Sequence, residues 1–223
     1  MTPFSDPQAV ARYADGPTRF VPGFDAMQRM TTLLLAERAP DDARVLVLGA
    51  GGGLELKMFA QAHPSWIFDG IDPSAEMLHL AERTLGPLAA RARLQQGYIG
   101  DAPDGPYDAA TCLLTQHFMD MNERRRTAAE VRRRLKPGTP FVTAHLSFPQ
   151  GDGARATWLS RYAAFAVAAG LDPEKAANMQ RAVDTKTHIL APEQDEAILI
   201  EAGFARVELF YAAFSFRGWV AYA

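Results

Sequence analysis

Apolar runs and amphipathic stretches alternate along this chain with the rhythm of an α/β protein. Arg44-Val45-Leu46-Val47-Leu48 is a short, valine-rich run ended by Gly49, the pattern of a strand buried on both faces. After a glycine cluster, Leu54, Leu56, Met58, Phe59 and Ala60 continue as a helix that ends before Pro64. Strand patterns return over residues 66–71, 93–97, 107–114 and 140–146. Helical patterns over 74–85 and 122–135 separate them, the second stopped by Pro137-Gly138. Strands that alternate with helices predict a doubly wound parallel sheet.

The rhythm breaks after residue 146. Residues 154–169 and 173–183 read as two helices inserted after the fifth strand, placed to roof a pocket at the strand ends. A helix over 193–202 is followed by two strand patterns, 205–211 and 215–223, joined by a short turn. Strands joined so tightly pair antiparallel, which predicts a reversed strand at the far edge of the sheet. An amphipathic helix over 25–36 would close the pocket from the opposite side. The expectation is one α/β domain over residues 1–223, with a Rossmann-like, doubly wound, seven-stranded sheet that is mostly parallel and has an antiparallel C-terminal strand. Residues 1–40 are expected to form an N-terminal helical cap, and residues 147–190 an inserted helical lid.

Composition narrows the function classes. With 223 residues, 48% of them hydrophobic, the chain suits one substantial core. A net charge of −3 and a pI near 6.0 give no general attraction to phosphate backbones, so DNA binding is not expected. One local stretch, with Arg124, Arg125, Arg126, Arg132, Arg133 and Arg134, is basic enough to meet RNA, and a solvated helix face is the competing reading. Cys112 is the single cysteine, and the five histidines lack paired ligand spacing, so neither a disulfide framework nor a metal site is expected. The first thirty residues hold no apolar segment of signal or membrane-span length, which points to a cytoplasmic protein with no membrane partner. Oligomeric state is left open, a homodimer included.

Two segments carry candidate chemistry. The strand ending at Leu48 runs directly into Gly49-Ala50-Gly51-Gly52-Gly53, where missing side chains let a ligand touch backbone at the carboxyl end of a central strand. Position 54 is Leu54, so the dinucleotide spacing is not met. A tight strand-to-helix turn is the plainer reading of the same glycines. Some twenty residues on, Asp72 ends the second strand, where a carboxylate can accept both ribose hydroxyls; a helix-capping role for Asp72 or Ser74 is the alternative. Together, loop and acid supply both edges of one nucleoside pocket.

These segments resemble motifs I and II of class I S-adenosylmethionine-dependent methyltransferases, with Gly49, Gly51 and Gly53 in the G-x-G-x-G loop, Ala50 within it, and Asp72 as the ribose acid. Pro73-Ser74-Ala75-Glu76-Met77-Leu78 is similar to the run that follows in that family, and the resemblance implies that Met77 lies beside the adenine and that Pro73 belongs to the cofactor-binding residues. The final hairpin, with Ala202-Gly203-Phe204 before it, also resembles the family's closing strands rather than a dehydrogenase. S-adenosylmethionine is the cofactor so implied, and methyl transfer the activity. Two positions depart from the family pattern. Val47 stands where an acid is usual, with Glu55 as a substitute partner for the cofactor's amino group. Gly97 is followed by Tyr98 and Ile99 instead of an acid, so backbone groups there, or Asp101 on a folded-back loop, would serve the adenine.

The resemblance further implies that Leu114, Thr115 and the residues up to Phe118 line the cavity between cofactor and acceptor, which makes His117 a candidate base and gives His145 a weaker claim. Beyond the sheet, Val21-Pro22-Gly23-Phe24, the insertion after Leu146-Ser147-Phe148, and residues 210–220 are similar to the carboxy-S-adenosylmethionine synthase branch. That branch makes a carboxylated cofactor for modifying tRNA. Its carboxylate-holding arginine has Arg181 as its nearest counterpart here. The acceptor, small molecule or tRNA, is not named by the sequence.

Overall fold

The computed structural model describes residues 16–223, so the first part of the expected N-terminal cap lies outside the described residues. Seven strands form one sheet in the order β3-β2-β1-β4-β5-β7-β6. They are β1 (Arg44–Leu48), β2 (Ile67–Asp72), β3 (Ala92–Gln96), β4 (Ala109–Leu113), β5 (Pro140–Leu146), β6 (Ala205–Ala213) and β7 (Phe216–Tyr222). The first five run parallel, and β7 is antiparallel to both β5 and β6.

This arrangement corrects one expectation. The reversed strand is not at the edge but one place in, because β7 inserts between β5 and β6. Burial explains the order: all of β7 but Arg217 is buried, while β6 alternates mostly between exposed and half-buried positions. The more apolar strand takes the interior place, where both its faces leave water.

Helices cover both faces. On one side α1 (Pro17–Phe20), α2 (Phe24–Ala36), α3 (Leu54–Ala62) and α4 (Ala75–Leu85) enclose a core containing Met27, Leu35, Val45, Val47, Leu56 and Phe59. On the other, α5 (Met121–Arg134) and α8 (Pro192–Glu201) cover Leu46, Leu48, Cys112, Phe141 and Trp219. Between β5 and α8 come α6 (Ala154–Ala168) and α7 (Pro173–Lys186), which pack on each other. The Tyr162 ring of α6 lies between Phe20 and Phe216, at centroid distances of 6.4 and 6.1 Å. Ser215 Oγ donates to the Trp158 carbonyl at 2.8 Å, so the inserted helices are tied to the N-terminal helix and the β6–β7 turn, beside the carboxyl end of β5.

Two strands end earlier than their sequence pattern suggests. β3 stops at Gln96 and leaves Gly97 outside, because the following turn folds back onto it. The fourth strand is shorter at both ends: Tyr107 makes only an isolated bridge to Leu135, and Leu114 turns into the left-handed region at φ 53°. A branched residue held there costs about 1–3 kcal/mol and is stable only where its surroundings fix it. Here the Leu114 N–H donates to the Ala144 carbonyl at 2.6 Å.

Candidate functional site

The site is built where β1, β2 and β4 end, at the point where the strand order reverses. The three motif glycines have different tasks. Gly49, at φ 70°, leaves space that Thr115 fills; a Cβ there would lie 2.0 Å from Thr115 Oγ1. Gly51, at φ 48°, aims its N–H at Asp72 Oδ2, 2.9 Å away. Gly53, at φ 78°, begins α3 and lets it approach α4, since a Cβ would meet Ala81 Cα at 2.9 Å. The N–H groups of Gly49 and Ala50 both donate to the Ile71 carbonyl, fastening the loop to the end of β2. So these glycines do make a tight strand-to-helix turn, and that turn is what brings the loop against Asp72.

Asp72 is buried, and each of its oxygens accepts one backbone N–H, from Gly51 at Oδ2 and Ser74 at Oδ1, both at 2.9 Å. A carboxylate oxygen has two lone pairs, so one on each remains to accept a ribose hydroxyl. Burial raises the Asp72 pKa, opposed by the Ser74 and Gly51 N–H groups. Capping of α4 falls to Ser74, whose Oγ accepts from the Met77 N–H at 3.2 Å. Met77 is buried beneath this corner, while Pro73 is exposed and accepts from Gln96 Nε2 at 3.1 Å.

At the end of β3 the following loop does fold back. Asp101 Oδ2 accepts the Tyr98 N–H at 2.9 Å, and the absence of a side chain at Gly97 makes room, since a Cβ there would lie 2.6 Å from the same oxygen. The Tyr98 amide is thereby committed within the chain, and Asp101 brings a carboxylate back to the end of β3. Tyr98 presents its ring to solvent and Ile99 is half-buried.

Beyond the end of β4, Gln116, His117 and Phe118 form a short 3-10 turn. Leu114 and Thr115 before it are half-buried, and Thr115 Oγ1 donates to the Leu113 carbonyl at 2.9 Å. His117 is buried and its Nδ1 has no hydrogen-bond partner. Burial holds its pKa well below the usual imidazole range, helped by His145 and Arg124, so it is neutral. His145 is fully buried, with Nε2 lying 3.2 Å from Asp195 Oδ2. Arg124 completes this cluster by donating to Asp195, to the His188 carbonyl and, at 3.2 Å, to the Met119 carbonyl. Burial alone would raise Asp195, but His145, Arg124 and Ser147 hold its carboxyl below the usual range.

Sequence reasoning missed this cluster by grouping Arg124 with the solvated arginines of α5. Its spacing from Thr127, Ala128 and Val131 was the available signal, since all four lie on the buried stripe of the helix. Arg134 is buried too and pairs with Glu130. Arg181 is exposed on α7 and bonds to Asn178 on the same helix. Among the described residues no three His, Cys, Asp or Glu side chains are grouped to hold a metal ion, and no helix is long and apolar enough to cross a membrane. A groove of about 500 Å³, lined in part by Arg44, Asp69, Arg91 and Arg93, lies at the opposite, amino end of the strands.

The donor set suits a cationic adenosyl amino acid. Asp72 offers lone pairs to a diol, and Glu55 places a second buried carboxyl nearby. Burial pushes the Glu55 carboxyl up to about 8, with Asp72 adding to the rise.

Residues 45–138 match the family described as methyltransferase domain. A protein of Campylobacter curvus named carboxy-S-adenosyl-L-methionine synthase is 21% identical over 97% of this chain and 93% of its own length. One of the same name from Chromohalobacter salexigens is 25% identical over 97% of this chain and 82% of its own. Among solved structures, an O-methyltransferase family protein of Burkholderia thailandensis superposes at a TM-score of 0.71 and 16% identity, over 97% of this chain and 60% of the other. Human N-acetylserotonin methyltransferase, in complex with S-adenosylmethionine, does so at a TM-score of 0.67 and 14% identity, over 98% of this chain and 57% of the other. The chain therefore spans less than two thirds of those two solved chains, and the likeness to them is one of fold. The matched family begins in β1, takes in the glycine loop and Asp72, and runs past the end of α5, so residues 45–138 are similar to a methyltransferase domain, set in a fold shared with S-adenosylmethionine-dependent methyltransferases.

Proposed function

We propose that this chain is a methyltransferase that transfers the methyl group of S-adenosylmethionine to an acceptor held between residues 114–118 and the inserted helices 147–190. The observation that carries the reading is the Gly51 N–H bond to Asp72, which locks the glycine loop and the ribose acid into one corner while leaving acceptor capacity on the carboxylate. When bound, the cofactor supplies a sulfonium-activated methyl group that leaves with breakage of its S–C bond. The chain's own contribution is to orient and to exclude water, so no catalytic dyad is required. Asp72 fixes the ribose, Met77 and the turn at Tyr98 and Ile99 border the base, and the strained Leu114 sets the direction of Thr115. Where the acceptor must lose a proton, His117 is the candidate base, kept neutral by burial.

A small-molecule acceptor is favoured over tRNA because the arginines of α5 are mostly engaged. Arg125 pairs with Glu201, Arg133 with Asp104 and Glu130, and Arg132 donates to the Gly203 carbonyl. Synthesis of carboxy-S-adenosylmethionine is the second reading, favoured by relatives of that name that align over 97% of the chain. The exposed Arg181 offers it no support in this conformation. Mass spectrometry of the ligand carried through purification tests both readings: S-adenosylmethionine or its demethylated product supports methyl transfer, a carboxylated derivative supports the second reading, and a dinucleotide overturns both.

A further inference from the structure

The geometry points to a binding site for an aromatic carboxylate where α6 meets the β6–β7 turn, with Arg161 and Arg217 holding the acid group beside Trp158 and Phe214 meeting the ring. Both guanidinium groups rest on the Trp158 indole, their central carbons 4.5 and 5.4 Å from its centroid. Two other rings carry arginines in the same way, and both are balanced by acids. Arg44 lies over Tyr107 and pairs with Asp69 at 2.7 Å. Arg38 and Arg206 lie over Tyr222, where Glu208 pairs with Arg206 at 3.0 Å and the charge of Glu37 is also felt. Over Trp158 no acid does this. α6 contains no Asp or Glu, nor do residues 213–217, and Asp184 of the adjoining α7 is bonded to Arg155 at 2.8 Å. Among the described residues Arg161 and Arg217 form no ion pair.

A cation–π contact orients a guanidinium without neutralising it, so two unanswered positive charges sit together in a chain whose net charge is −3. Arg217 is half-buried, and that burial lowers its pKa. Its Nη1 donates to the Phe214 and Phe216 carbonyls at 2.6 and 2.8 Å, which fixes the side chain, while Nε and Nη2 have no partner among the described residues. A planar carboxylate matches those donors. The surface beside them is apolar: Phe214, 51% exposed, meets Phe165 edge-on at 5.9 Å, and Phe148 stacks on Trp158 at 6.3 Å. An aromatic body suits such a surface. The Ser215 bond to the Trp158 carbonyl holds the helix and the turn together, so both halves of the site are in place before a ligand arrives. The site stands independently of the S-adenosylmethionine pocket proposed above.

Trp158 reports on its own site, because Trp66 and Trp219 are both 1% exposed. Titration of the full chain with benzoate at low ionic strength should change the tryptophan fluorescence saturably, and Trp158→Phe should remove the response. Arg161 is exposed, so Arg161→Ala and Arg161→Glu should fold as wild type does, judged by circular dichroism. The first should weaken benzoate binding about 3- to 10-fold, and the second should abolish saturation. Acetate and inorganic phosphate, which carry no ring, should bind more weakly than benzoate. No saturable response in the folded wild type, or one left unchanged in Arg161→Glu, would overturn the site. Acetate or phosphate binding as tightly as benzoate would overturn the aromatic class of ligand.

Discussion

Two buried polar assemblies lie near the carboxyl end of the sheet, and they are built on opposite plans. In the Arg124 cluster the guanidinium donates to Asp195, to the His188 carbonyl and to the Met119 carbonyl, so the positive charge is answered from within the chain. In the corner around Asp72, each carboxylate oxygen keeps a lone pair, and Glu55 has no partner beyond its own N–H. Burial of polar groups is costly in both places, but only the first is compensated by the protein alone. The difference separates a structural clamp from a corner left with unused acceptor capacity.

The largest effect should come from breaking the clamp. Arg124→Ala leaves Asp195 buried without its cation and should cost about 3–5 kcal/mol of stability, measured by urea unfolding. It should also free the His188 carbonyl, raising hydrogen exchange in the segment that returns from α7 to α8. A loss below 1 kcal/mol would mean that the cluster is not a clamp.

Asp72→Ala should act on the ligand instead, weakening S-adenosylmethionine binding about 10- to 100-fold through loss of charged acceptors. Stability should change less than in Arg124→Ala, which a thermal melt of the free protein will show.

Glu55→Gln sharpens the contrast within the ligand corner. The folded pKa of Glu55 is raised to about 8 from 4.5, so its contribution to stability is full below pH 4.5 and is lost as pH rises through 8. Replacing it with glutamine removes that loss, and the free variant should gain in melting temperature over wild type at pH 8 but not at pH 4.5. Arg181→Ala should have the smallest effect, within about 0.5 kcal/mol, because an exposed side chain bonded to its own helix contributes little. A change in the copurified ligand on this substitution would favour the carboxylated-cofactor reading.

How much of this was readable beforehand follows from the range of the interactions. β1 is an apolar run after Arg44 and β5 a mostly apolar one that includes Thr143 and His145, and their predicted bounds, 44–48 and 140–146, are the observed ones. β3 is a half-exposed edge strand with a weak pattern, and its bounds depend on the Asp101 turn that closes over Gly97. The order of β6 and β7 reflects relative apolarity, a signal present in the sequence, whereas the tight turn fixes only that the two strands pair antiparallel. The glycine loop and Asp72 were legible because their spacing is short and local. Arg124, His145 and Asp195 were not, since each looks ordinary alone and 71 residues separate Arg124 from its acid. Thr115 filling the space over Gly49 was equally invisible, being a contact between two strand ends brought together only by the sheet.

A crystal structure grown with S-adenosylmethionine tests the central claim most directly. Ribose hydroxyls within hydrogen-bond distance of both Asp72 oxygens, with the nucleoside seated against the glycine loop, are expected. A nucleoside bound elsewhere, with Asp72 still bonded only to Gly51 and Ser74, would contradict it.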